Sequence, residues 1–78
     1  MTDVTRLGQV LEALDARPVE LAAAMGWSMP TYYSRISGES EWKASEIVKF
    51  TRLAKLSREE RDAIFLQEDQ IFLPNGVI

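Results

Sequence analysis

The chain reads as an all-α domain, and three observations predict it. Leu7, Val10, Leu11 and Leu14 recur at helical spacing and form one apolar stripe. Two segments, Pro18 to Gly26 and Pro30 to Gly38, each begin with proline and end with glycine. That is the order in which short helices open and close, because proline costs nothing in the first turn and glycine accepts the left-handed exit. Ser57-Arg58-Glu59-Glu60 has the spacing of a capping box, in which hydroxyl and carboxylate satisfy each other's backbone N–H groups. The expectation is five helices in residues 1–66, followed by a short extended tail over 67–78.

The first helix is expected from about Asp3 to Ala16, with Thr2 or Asp3 as its cap. The second opens at Pro18 and buries Leu21, Ala22 and Met25 before Gly26. The third is capped by Ser28, runs to about Ile36 and is ended by Gly38, with Tyr32 and Ile36 facing the same way. Gly38 to Glu41 forms a polar loop. A fourth helix spans about Ala44 or Ser45 to Lys55, its inner face marked by Ile47, Val48, Thr51 and Ala54, with Phe50 and Leu53 at the margins. The fifth follows Ser57, carries Ile64 and Phe65 and fades near Gln67. In the tail, Ile71-Phe72-Leu73 precedes Pro74-Asn75-Gly76, a turn or stop signal.

Composition narrows the function classes. At 78 residues this is one domain with a thin core. It has no Cys and no His. That rules out a disulfide framework, the usual thiolate and imidazole metal sites, and His-based catalysis. Glu59-Glu60 and Glu68-Asp69 are paired carboxylates on charged segments without an apolar pocket to split their titration. The four Gly are scattered, so no phosphate-cradling loop exists. Neither an enzyme nor a cofactor is expected. The longest uncharged apolar stretch is Leu21 to Met25, far too short to span a bilayer, and no secretory apolar segment stands near the N-terminus. A cytoplasmic location is expected.

The net charge is −3, but its distribution matters more than its total. Residues 1–16 carry Arg6 against Asp3, Glu12 and Asp15, and residues 56–78 carry two cations against five acids. Residues 17–55 have six cations (Arg17, Arg35, Lys43, Lys49, Arg52 and Lys55) against four glutamates. A weakly basic middle between acidic ends permits an oriented contact with nucleic acid, at modest non-specific affinity.

The informative stretch is Val19 to Gly38, VELAAAMGWSMPTYYSRISG. Two short helices flank a turn that contains Gly26, the arrangement of a helix-turn-helix. Leu21, Ala22, Met25, Gly26, Tyr32 and Ile36 are the expected structural core of this unit. Trp27 plugs the turn, and Trp42 is read as a core or loop anchor. Met29, Pro30, Tyr33, Ser34 and Ser37 remain on the opposite face.

Glu20-Leu21-Ala22, Gly26, Ser28, Thr31 and Gly38 resemble the signature of Cro/CI-like (XRE) helix-turn-helix domains. Trp42, Glu46-Ile47 and Leu56 to Glu60, followed by Ile64-Phe65, extend the likeness toward small phage and prophage regulators, over about residues 5–66. The resemblance implies a lambda-repressor-like fold and sequence-specific binding of double-stranded DNA by a transcriptional regulator, a repressor by preference. It places the third helix in the major groove, with Ser28, Met29, Pro30, Tyr33 and Ser34 facing the bases. Met29 would pack on a thymine methyl, and Tyr33 and Ser34 would hydrogen-bond. Phosphate contacts are expected from the backbone N–H near Val19 and from Arg17, Arg35 and Lys43. Tyr33 has a second reading, packing against the loop after Gly38. Lys49, Arg52 and Lys55 read as a solvated face. The apolar tail either folds back on the first and fifth helices or joins a second copy of the chain; a homodimer is the favoured expectation. Two other functions suit the same fold: an excision or recombination accessory factor, and a protein-binding module of the antirepressor kind.

Overall fold

A computed structural model describes residues 1–66, and within them the chain forms five α-helices and no strand. The tail from residue 67, and with it the proposed pairing segment, lies outside the described residues.

Helix α1 covers Val4–Leu14. The Asp3 carboxylate accepts from the N–H groups of Thr5 and Arg6, each at 3.1 Å. The helix stops short of Ala16 because Asp15 turns left-handed, at φ 55°. Helix α2, Pro18–Met25, starts on its proline as expected. Glu20 reaches back to the Arg17 N–H at 3.1 Å; this is half a capping box, since an arginine side chain has no acceptor to complete it. Gly26 ends the helix at φ 76°.

Helix α3 covers Met29–Ser37, with the Ser28 hydroxyl accepting from the Thr31 N–H at 3.3 Å. Gly38 closes it at φ 86°. A Cβ there would stand 3.0 Å from Val4 Cγ1, so the left-handed backbone favours glycine and a larger residue would press on the side chain of α1. Helix α4, Ala44–Ala54, begins at Lys43, which offers no side-chain cap. Helix α5, Arg58–Phe65, has the full reciprocal box: Ser57 N–H to Glu60 at 2.8 Å and Glu60 N–H to Ser57 at 3.0 Å.

The core gathers Leu7, Leu21, Ala22, Met25, Tyr32, Trp42, Phe50, Ile64 and Phe65. Helix α3 packs on α1 and α2, while α5 closes the other side on α1 and α4. One expectation is corrected here. Phe50, placed at the margin of α4, is its fully buried residue, whereas Val48, placed on the inner face, is 48 % exposed. At about 100° per residue, Ile47, Phe50 and Ala54 share a stripe that excludes Val48. Phe50 meets Trp42 and Phe65 with ring centroids 5.3 and 6.1 Å apart, in edge-on geometries that favour aromatic pairs.

Candidate nucleic-acid interface

Helices α2 and α3 are separated by the three residues Gly26, Trp27 and Ser28. The turn is tied down from both sides. The Trp27 N–H donates to the Ala22 carbonyl at 2.9 Å, and its indole Nε1 donates to Glu46 at 3.1 Å. Tyr32 is buried and Ile36 half-buried, and both pack toward the core, so α3 has a fixed inner side. Burial, with neighbouring Tyr33 adding to it, pushes the Tyr32 phenol above its ordinary pKa, which keeps it neutral.

The outer side of α3 is exposed at Pro30, Tyr33 and Ser37, and none of these carries a charge. Tyr33 is 57 % exposed and leans its ring edge-on against Tyr32 at 5.2 Å. Ser28 is also exposed, though its hydroxyl is used locally as the cap and as a donor to Thr31 Oγ1 at 3.1 Å. Two of the expected base-facing residues are drawn inward. Met29 is half-buried against the core. Ser34 is half-buried, with its hydroxyl 2.7 Å from that of Ser40.

The expected phosphate contacts divide more sharply. Arg35, expected as a phosphate ligand, is half-buried and engaged within the protein. Its Nε and a terminal nitrogen donate to the two oxygens of Glu46 at 2.9 and 3.1 Å, and the other terminal nitrogen donates to Ser40 at 2.8 Å. Both partners of this ion pair are 13 % exposed, and the guanidinium lies 5.8 Å from the centre of the Trp27 ring. A half-buried cation with a bidentate partner leaves that partner only at a cost. Arg17 is exposed and pairs with Glu20 at 3.2 Å, so a carboxylate already sits at the start of α2. Val19 is exposed there, and its N–H donates to no group among the described residues. Lys43 is exposed and in no ion pair among the described residues.

Glu46 is the residue that sequence reasoning missed. One carboxylate accepts from Arg35, from Trp27 and from the Lys43 N–H at 2.8 Å. It joins the turn, α3 and the start of α4. Hydrogen bonding from Arg35 is the main reason its pKa falls from 4.5 to about 2, with the Lys43 N–H and Trp27 adding to the effect against the opposing pull of burial. The signal was its place three residues after the cap of α4, the position where a glutamate turns back onto the backbone. Trp42 completes the arrangement: it is buried, as read, and its indole donates to the Arg35 carbonyl at 3.1 Å.

No protein family, curated protein or solved structure matches this chain. Among the described residues no helix is long and apolar enough to cross a membrane, and no cluster of acidic residues could hold a metal ion.

Proposed function

We propose that this protein binds double-stranded DNA, with α2, the Gly26–Ser28 turn and α3 acting as a helix-turn-helix in a five-helix arrangement of the lambda-repressor type. The observation that carries this reading is the two-sided character of α3. Tyr32 and Ile36 hold one side to the scaffold, while Pro30, Tyr33 and Ser37 stand in solvent on the other. A helix so presented fits the major groove. With Arg35 and Ser34 engaged elsewhere, readout rests on the Tyr33 hydroxyl and on apolar contact from Pro30 rather than on bidentate pairs. The role that follows is transcriptional regulation in the cytoplasm, by preference repression in a phage or prophage setting, with two copies reading half-sites about 34 Å apart.

Titration against duplexes of random sequence and of the gene's own upstream region, at low and moderate salt, tests the reading. Tighter binding to the upstream duplex that weakens with salt is the expected result. Tyr33→Ala should then cost about 1 kcal/mol on the specific duplex, the scale of one hydrogen bond, and little on the random one. Absence of binding at low salt and high concentration would overturn the proposal.

One observation favours a second reading. The outer side of α3 carries no charge, and Val19 and Tyr33 are large exposed apolar groups. A protein-binding module would use such a surface, and it is the reading that a failed titration leaves.

A further inference from the structure

A groove of about 580 Å³ runs between the Gly26 turn and α4. Trp27, Thr31, Lys43, Ser45 and Lys49 line it, together with the Arg35–Glu46 pair. That pair is internally neutral. Lys43 and Lys49 are exposed and form no ion pair among the described residues. The groove therefore holds a surplus of two positive charges, because its one carboxylate is already occupied by three sets of donors. Lys49 bends across it: its Nζ lies 4.0 Å from where a Cβ on Gly26 would stand. An ammonium of α4 thus rests beside the turn between α2 and α3. Thr31 uses its oxygen as an acceptor from Ser28, which leaves its own O–H for a ligand.

We infer that this groove seats a backbone phosphodiester of the bound duplex, between the ammonium groups of Lys43 and Lys49, with the Thr31 and Ser45 hydroxyls as further donors. The inference rests on the DNA-binding reading and assigns the flanking anchor that Arg35 cannot supply. Two cations and two hydroxyls without a free acid suit a singly charged phosphodiester, and a lysine ammonium binds one as a mobile point charge. Lys49 thereby moves from the solvated face of α4 to the site.

The test uses the full chain and a random-sequence duplex, with affinity followed by fluorescence anisotropy over a range of salt. Each contact to phosphate contributes about 0.9 to the slope of log K against log salt. Lys43→Gln and Lys49→Gln should each make the slope shallower by about that amount, so that a fourfold rise in salt weakens each variant about threefold less than the parent. The double variant should lose both contributions, and Lys49→Arg should restore its share. Arg6→Gln, in the separate groove between α1 and α5, should leave the slope as it is. Circular dichroism of each variant establishes that the fold is intact. A double variant that is folded and keeps the parental slope overturns the inference and leaves the DNA reading standing. A parent protein that binds no duplex at any salt overturns both.

Discussion

Glu46 shows how much one half-buried carboxylate can organise. Its donors come from the turn, from α3 and from the start of α4, so its removal loosens three elements together. Its folded pKa of about 2 lies below the ordinary 4.5. A depressed carboxylate stabilises the fold fully above its unfolded pKa, and that contribution is lost as pH falls from about 4.5 toward 2. The difference corresponds to about 3 kcal/mol. Glu46→Gln should cost about 2–3 kcal/mol at neutral pH, the scale of that shift, and the gap from the parent should close near pH 2. Urea unfolding of both proteins across that range checks it; a gap that persists in acid would assign the loss to packing instead. The two positive-φ glycines invite a paired comparison. Gly26→Ala meets only the far end of Lys49, whereas Gly38→Ala also meets Val4. The first should cost about 1–2 kcal/mol, from the left-handed backbone alone, and the second clearly more, in the same unfolding experiment.

Helix boundaries were legible wherever a side chain announced them. Pro18 and Ser28 open α2 and α3 as read, and Gly26 and Gly38 close them. Ser57 caps α5 with both halves of its box, and Ser57→Ala should cost about 1 kcal/mol in thermal or urea unfolding; no change would mean that tertiary packing alone holds the start of α5. The start of α4 was harder to fix, because Lys43 has no acceptor and the helix is held there by a glutamate reaching back. Its inner face was misjudged at Phe50 because a one-residue error in phase rotates a helix by 100°. The fate of Arg35 was illegible for a different reason. Residue type shows that an arginine is charged; only the folded chain brings Glu46 against it from the far side of a loop. Of the expected contact residues, Ser28, Pro30, Tyr33, Arg17, Val19 and Lys43 are on the surface, and Met29, Ser34 and Arg35 are turned inward.

At the scale of the whole molecule, charge among the described residues is uneven between helices. The exposed positions of α1 and α5 mix Arg6 and Arg58 with Glu12, Glu59 and Glu60, while α4 and its C-cap expose Lys49, Arg52 and Lys55 without an acid between them. An acidic protein can thus carry a basic stretch on α4, with Lys49 beside the Gly26 turn, which its total charge conceals. The dimer expected from the apolar tail belongs to this scale as well. Sedimentation should give a mass rising above the 8.8 kDa of one chain as concentration increases; a constant monomer from micromolar to millimolar would sink it.

The N–H of Asp3 donates to the carbonyl of Ile64 at 2.7 Å. This single bond ties the residue that caps α1 to the last turn of α5, beside the fully buried Leu7 and Ile64. An amide so near a chain's beginning ordinarily trades its hydrogen with solvent through fraying. Here the exchange requires the bond to Ile64 to open. The Asp3 amide is therefore a gauge of the seam between α1 and α5, and its isotope exchange in heavy water should be slower than that of an unbonded amide near a chain's start.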